Sequence, residues 1–243
     1  VSNSTISGNT AGNGGGFYSI GYGITTVSNS TISGNTAELG GGICNVYGTT
    51  TVSNSTVSGN TASFGGGICN SLGTTTVSNS TISDNTAGFR GGGISNRDGT
   101  TTVSNSTISG NTSHAGGGIH NRSGTTTVSN STISGNTAGN GGGFYNIGIT
   151  TVSNSTISGN TASVDGGGIY NLFRGGFDSR GTTTVSNSIV AGNTLTAGSS
   201  ASDITGDDVT DDVAGLRSFN GEGVRGSFNL IGTGGSGGLT NGT

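Results

Sequence analysis

An internal repeat constrains this chain more than any other feature of its sequence. The string VSNST recurs at intervals of 24 to 26 residues, and an altered copy, VSNSI, starts at Val185 after a longer interval of 33 residues. Self-similarity at a fixed period of this length is the signature of a solenoid, in which each repeat stacks on the next. The seven identical copies begin at Val1, Val27, Val52, Val77, Val103, Val128 and Val152.

Length differences between repeats fall at two points of the unit. One insertion point follows an Ala, as at Gly88–Arg90 and Ser163–Asp165, and the other follows the last Asn, as at Leu172–Arg180. Variation confined to fixed points indicates loops on a regular frame. We therefore divide the chain into regular coils over residues 1–188, with eight repeat starts, and degenerate C-terminal coils or a cap over residues 189–243, with an acidic loop at 203–212.

Apolar and polar residues alternate within each unit in short β-branched runs, which is the spacing of strands and not of helices. Three such strands, each ended by an Asn, predict an all-β coil of about 25 residues. Paired strands lie about 4.8 Å apart, so stacked coils place equivalent residues in columns. One Val column and two Ile columns, represented by Val103, Ile108 and Ile119, would form a thin apolar core.

The composition fits such a thin core and excludes other classes of protein. Gly, Thr, Ser and Asn fill 157 of the 243 positions, whereas hydrophobic residues make up 27%. Helical bundles and α/β folds need apolar helix faces that this chain lacks. No run of about 18 apolar residues is present that could span a membrane. A net charge of −4 without clustered cations argues against a nucleic-acid partner.

The Asn residues are predicted to hold the corners of the coils. Asn tolerates the left-handed backbone of a turn, and its amide can donate to the Asn of one neighbouring coil while accepting from the other. We therefore predict structural ladders rather than catalytic residues. The three sets are Asn54, Asn79, Asn105 and Asn130; Asn60, Asn85, Asn111 and Asn136; and Asn70, Asn96, Asn121 and Asn146.

A family resemblance follows from the spacing of these residues. The step from Val57 to Asn60, repeated from Ile82 to Asn85, precedes Gly-Gly-Gly-Ile. This pattern resembles the repeats of polymorphic outer-membrane proteins and related adhesin-like proteins of bacterial surfaces. The resemblance implies a right-handed, single-stranded parallel β-helix of the pectin-lyase type in an extracellular or surface-displayed bacterial protein. The chain departs from that family by using Ile or Val where the family has Phe.

The residues that could carry chemistry are scattered. Polysaccharide-cleaving enzymes need clustered acids or bases, and the best local group here is Asp84, Arg90, Arg97 and Asp98, with Arg122 expected beside Arg97. This group would be either a binding site or a solvated loop edge. We predict no catalytic residue and no enzymatic activity.

No metal site or cofactor is predicted from the spacing of potential ligands. Neither His114 nor His120 has a partner at metal-ligand spacing. The acidic segment Asp203–Asp212 is either a calcium loop or a mobile acidic loop.

Cys44 and Cys69 are one coil apart and occupy the same slot after an Ile. Stacked Cα atoms about 4.8 Å apart fall within disulfide range, but parallel Cβ vectors strain the bond. The sequence leaves a disulfide and two free thiols as alternatives. The same column holds Tyr18, Ser95, His120, Tyr145 and Tyr170.

Alternation places a regular array of Thr on the outside of the coils when Val faces inward. A flat, uncharged Thr array resembles the faces of β-helical ice-binding proteins, although Thr is also a favoured residue on the solvent side of any strand. The candidate flat binding face consists of Thr49, Thr51, Thr74, Thr76, Thr100, Thr102, Thr125 and Thr127.

Three functional hypotheses follow from the sequence. The preferred one is a non-enzymatic extracellular structural protein: a surface stalk, an adhesin module or a filament subunit. Ice or flat-lattice binding is the second, and a polysaccharide-binding or polysaccharide-cleaving β-helix is the third. The expected partners are other copies of the chain, stacked head to tail, and a glycan or other surface ligand.

Overall fold

The computed structural model describes residues 1–172, 181–196, 203–206, 209–211 and 230–231. These residues form a right-handed parallel β-helix of about seven coils, and every strand pairing among them is parallel. The predicted fold class and the coil of about 25 residues are confirmed. No helix long and apolar enough to cross a membrane occurs in the described residues.

Each regular coil contributes to four sheets, which we name the Thr, Ile, Ala and Asn sheets. The Thr sheet holds Ile24–Ser28, Thr49–Ser53, Thr74–Ser78, Thr100–Ser104, Thr125–Ser129, Ile149–Ser153, Thr182–Ser186 and Val209–Asp211. The Ile sheet holds Thr5–Ser7, Thr31–Ser33, Thr56–Ser58, Thr81–Ser83, Thr107–Ser109, Thr132–Ser134, Thr156–Ser158, Ile189–Ala191 and Leu230–Ile231.

The other two sheets follow in each coil on either side of the glycine triplet. The Ala sheet holds Thr61–Phe64, Thr86–Arg90, Thr112–Ala115, Thr137–Asn140, Thr161–Asp165 and Thr194–Leu195. The Asn sheet holds Phe17–Ile20, Ile43–Val46, Ile68–Ser71, Ile94–Arg97, Ile119–Arg122, Phe144–Asn146, Ile169–Asn171 and Ile204–Gly206.

The Ala sheet corrects the expectation of three strands per coil, because the segment after the second Asn also pairs. Thr86 and Ala87 lie in register with Thr61-Ala62 of one neighbouring coil and with Thr112-Ser113 of the other. Because these small residues occupy equivalent positions in adjacent coils, their backbone groups lie in register, and a stretch assigned to a loop completes a fourth ladder of hydrogen bonds.

The core is a continuous apolar column along the helix axis. The Val and Ile columns predicted to face inward are fully buried, as Val103, Ile108 and Ile119 show. The Thr two residues before each Val also points inward, and Thr101 is fully buried. The prediction of which strand residues face inward and which face outward is therefore confirmed. The interior also contains a column of buried Thr residues beside the Val column.

Two of the three predicted Asn ladders are present. Nδ2 of Asn85 donates to Oδ1 of Asn111 at 3.0 Å, and the same oxygen accepts the backbone N–H of Asn85 at 3.0 Å. This ladder runs from Asn9 to Asn193. The second ladder runs from Asn45 to Asn171, with Nδ2 of Asn70 donating to Oδ1 of Asn96 at 2.9 Å.

The remaining set, Asn54, Asn79, Asn105 and Asn130, does not form the predicted ladder. Asn105 is exposed and adopts a left-handed backbone with φ of 48°. The next residue, Ser106, is buried, and its hydroxyl accepts the backbone N–H of Ser80 at 3.1 Å. The turn residue therefore directly precedes the ladder residue in the sequence. At this corner a Ser hydroxyl accepts the hydrogen bond from the neighbouring coil that an Asn side chain accepts at the other corners.

The glycine triplet keeps neighbouring coils close where the Ala sheet meets the Asn sheet. Gly65 has φ of +66°, in the left-handed region that favours glycine. A Cβ atom on Gly66 would lie 2.6 Å from the backbone oxygens of Thr86 and Gly92. The glycine triplets therefore allow the close approach of neighbouring backbones.

Replacing Asn111 with Ala should lower the free energy of unfolding by about 3 kcal/mol, because buried groups lose their partners. The Asn111 amide donates to the carbonyl of Ile82 and to Oδ1 of Asn136, and it accepts twice from Asn85. Urea denaturation of the purified chain measures this change.

The matched control is Asn105→Gly, a substitution of the same residue type at an exposed corner of the same coil. Glycine adopts a φ of 48° without strain, so the loss should stay below about 0.5 kcal/mol. Equal losses in the two variants would show that the buried amide has no special role.

Candidate functional site

An elongated cleft lies on the outer surface where the Ala sheet meets the Asn sheet. Its volume is about 430 Å³, within the range of small-molecule sites. Its lining extends from the coil of Phe64 to the coil of Tyr145. Three coil steps at about 4.8 Å give it a length of roughly 14 Å. The residues that define its chemistry are Phe64, Phe89, Arg90, His120, Arg122 and Tyr145.

The floor of the cleft is the outward column of the Asn sheet. His120 lies in register between Ser95 and Tyr145. The His120 and Tyr145 rings stack with centroids 5.1 Å apart and an angle of 14° between planes. Tyr170 extends the column, with its ring 5.2 Å from that of Tyr145. In-register stacking thus converts outward residues of successive coils into a continuous aromatic floor.

One wall arises from the insertion that the sequence places at Gly88–Arg90. The strand Thr86–Arg90 has five residues against four in Thr61–Phe64, and the pairing register shifts between Ala87 and Arg90. The extra residue leaves the Phe89 side chain exposed, and its ring stacks on Phe64 at a centroid distance of 5.4 Å. A bulge in the sheet therefore creates an aromatic wall.

Two arginines give the cleft a positive potential at His120. Burial, together with the charges of Arg90 and Arg122, lowers the pKa of His120 to about 3, against the opposing effect of a hydrogen bond with the backbone of His120 itself. His120 is 1% exposed, and its Nε2 atom has no hydrogen-bond partner. The imidazole is therefore neutral at ordinary pH and leaves one buried polar atom unsatisfied at the cleft floor.

The structure divides the charged group that the sequence singled out. Arg97 and Arg122 are in register, as predicted, but Arg97 forms an ion pair with Asp98 at 3.4 Å in which both side chains are exposed. Such an exposed pair contributes little to stability. Asp84 sits at the distant corner after the Ile sheet, with φ of 56°. Only Arg90 and Arg122 line the cleft.

Sequence reasoning missed the cleft because its residues come from four coils. The sequence assigns His114 and His120 no partner at metal-ligand spacing and no other role, whereas the structure places both in the lining of the cleft, together with Asn140. The signal that could have revealed it was the Phe-Arg insertion read together with the His and Tyr residues of one column. Among the described residues there is no group of three or more His, Cys, Asp or Glu placed to hold a metal ion.

Cys44 and Cys69 are paired in register in the Asn sheet, and both are free, buried thiols. A hydrogen bond to Cys69 and burial raise the pKa of the Cys44 thiol. That bond lowers the pKa of Cys69 against the opposing effect of burial. Of the two alternatives left open by the sequence, the structure holds the pair as two free thiols.

The Thr residues of the candidate flat face point outward in register over successive coils. Thr74, Thr100 and Thr125 are exposed and aligned, and Thr76, Thr102 and Thr127 are half-buried beside them. Strand geometry spaces these rows by about 6.8 Å along each strand and 4.8 Å between coils. The geometry of the array is as predicted, and a ligand for it stays a prediction.

Asp203 belongs to the ladder that runs from Asn9 to Asn193, which we name the Asn60 ladder, and does not face an outer loop. Its Oδ1 accepts the backbone N–H and the side-chain amide of Asn193, both at 2.9 Å. It therefore replaces the next Asn of the ladder, and its Oδ2 is buried without a partner. The calcium prediction for Asp203–Asp212 includes Asp207, Asp208 and Asp212, which lie outside the described residues.

Comparison with known proteins gives one family match and one distant structural likeness. A family model described as the Chlamydia polymorphic membrane protein repeat matches residues 154–172. Among solved structures, pectate lyase Pel9A is similar with a TM-score of 0.48 and 15% identity, over 78% of this chain. The aligned part covers 55% of the Pel9A chain. No curated protein matches the chain by sequence at a significant level.

The fold and its ladders define the class as parallel β-helix repeat proteins. Within that class, the repeats resemble those of the Chlamydia polymorphic membrane proteins. The resemblance inferred from Ile-x-x-Asn followed by Gly-Gly-Gly-Ile is confirmed over residues 154–172.

The Asp203 carboxyl predicts a pH-dependent difference between two variants. Burial raises its pKa above the ordinary value, although hydrogen bonds from Asn193 oppose the rise. Because the pKa of Asp203 is higher in the folded than in the unfolded state, the protonated carboxyl stabilises the fold. This stabilisation is complete below the unfolded-state pKa of about 3.9 and is lost as pH rises through the folded-state pKa. Asp203→Asn should therefore raise the melting temperature at pH 7 and change it little at pH 3.

The control is Asp203→Ala, which removes the acceptor of Asn193 altogether. It should lower the melting temperature at both pH values, because two buried donors lose their partner. Thermal unfolding followed by circular dichroism measures both variants. A melting temperature of Asp203→Asn below that of the parent at pH 7 would contradict the ladder role of this side chain.

Proposed function

We propose that this chain is a non-enzymatic structural module of a bacterial surface protein, a rigid stalk or adhesin segment built by stacking identical coils. The observation that carries the proposal is the in-register repetition of the same inward residues from coil to coil. The name of the matched repeat family, a membrane protein repeat, supports a location at the bacterial surface.

The arrangement suits a spacer because each coil contributes the same contacts as its neighbours. About seven coils at roughly 4.8 Å give a rod of about 34 Å. Buried amides and hydroxyls continue the coil-to-coil hydrogen bonds through the interior. In such nearest-neighbour architectures, coils can be added or removed without a change in the rest of the fold.

Deleting one complete coil should leave a folded, shorter rod. Removal of Ser28–Val52, 25 residues, joins Val27 to Ser53 at equivalent positions of adjacent coils. The variant should unfold cooperatively, and its length should fall by about 5 Å in small-angle X-ray scattering. This deletion leaves the cleft residues in place, so it tests the modular stalk alone.

The matched control removes half a coil, Ser28–Gly40, and places the coils on the two sides of the deletion out of register. It should be less stable than the whole-coil variant, because the register error exposes apolar residues and leaves buried amides unpaired at that point. Loss of folding in the whole-coil variant, or full stability in the half-coil variant, would contradict the proposal.

The aligned Thr rows favour ice or flat-lattice binding as a second candidate function. In that case the chain should shape ice crystals at micromolar concentration, and Thr76→Lys combined with Thr102→Lys should abolish the effect. Ser83→Lys combined with Ser109→Lys, on the outward face of the Ile sheet, is the control and should retain it. Ordinary ice crystals with the parent chain would eliminate this candidate.

Head-to-tail self-association of the module remains a prediction. Strands at the end of a β-helix present unpaired backbone groups to a second copy, and a head-to-tail contact that does not close forms open filaments.

A further inference from the structure

We propose that the cleft between the Ala and Asn sheets binds an extended glycan of carboxylated sugars, held by Arg90 and Arg122 over the aromatic floor. The inference rests on the proposed function in one respect, namely that binding occurs without turnover. It names the class of ligand that an adhesin segment of this structure would recognise.

Charge is the first argument for an acidic ligand. Half-buried Arg90 and exposed Arg122 both line the cleft, and the charges of both lower the pKa of the buried His120 ring. Among the described residues that line the cleft there is no carboxylate. Guanidinium groups bind carboxylates through paired hydrogen bonds of matching geometry. An anion in the cleft would therefore lie near two cations.

The aromatic surfaces and His120 are the second argument, because they select a sugar over a simple anion. Phe64 and Phe89 form an apolar wall, and Tyr145 stacks on His120 at the floor. Aromatic faces pack against the apolar faces of sugar rings. The unpartnered Nε2 of the neutral His120 is a hydrogen-bond acceptor suited to a hydroxyl group. A ligand that matches the cleft would therefore have a carboxylate, hydroxyl groups and an apolar ring face, and a uronic-acid sugar has all three.

The shape of the cleft is the third argument. It crosses four successive coils along the helix axis, for a length of roughly 14 Å. A single small anion would contact only one end of such a groove. A chain of several sugars could place a carboxylate at the arginines while its neighbouring rings contact the aromatic residues.

The test is isothermal titration calorimetry of the full chain with a tetramer of galacturonic acid at low ionic strength. Arg122→Gln should weaken binding at least fivefold, since a charge-assisted pair is lost. The matched control is Arg97→Gln, which changes the in-register neighbour of Arg122 that is paired with Asp98 and lies outside the cleft. Binding by the control should change less than twofold.

Two further ligands define the chemistry. The methyl-esterified tetramer keeps the rings and hydroxyls but loses the charge, and it should bind at least fivefold more weakly than the acid. A sulfated glycan that binds as tightly as the uronate would overturn the assignment to carboxylated sugars. So would absence of uronate binding at millimolar ligand, or equal losses in Arg122→Gln and Arg97→Gln.

Turnover is measured in the same samples by the release of reducing and unsaturated sugar ends. Binding without release supports both the cleft and the non-enzymatic function. Binding with release would keep the cleft assignment and refute the non-enzymatic function. Absence of binding refutes the cleft assignment alone, because the whole-coil deletion tests the stalk independently.

Discussion

The hydrogen bond from one buried Asn amide to the next is the interaction on which the rest of this structure depends. Each amide of the Asn60 ladder donates to the coil on one side and accepts from the coil on the other. A chain with 27% hydrophobic residues cannot define its register by apolar contact alone. Because a slipped coil would leave these buried groups without partners, the ladders favour a single alignment of the coils.

The same ladders explain what could be predicted from sequence. Period, coil length and inward columns follow from spacing, because alternation and repetition are local properties of the chain. The corner at Asn54 was assigned incorrectly, because Asn serves both as a left-handed turn residue and as a buried ladder residue. In the structure a turn residue precedes a ladder residue at both corners, Asn54 before Ser55 and Gly59 before Asn60.

The cleft was beyond sequence reasoning for a different reason. Its residues are ordinary at each position and acquire a role only when the bulge at Phe89 places two rings against each other and the Asn sheet stacks Tyr145 on His120. Since inward residues maintain the fold, outward residues and insertions are free to vary without cost to the ladders. Because inward and outward residues vary independently, a β-helix of near-identical coils can have a cleft on part of its surface.

The measurement that tests this account most directly is solvent hydrogen exchange of the Asn side-chain amides by nuclear magnetic resonance. The amides of Asn85, Asn111 and Asn136 are buried and donate to the interior, so they should exchange only when coils separate. The exposed amides of Asn79, Asn105 and Asn130 should exchange at rates typical of free amides. Equal, rapid exchange in both sets would contradict the central role of the buried ladder.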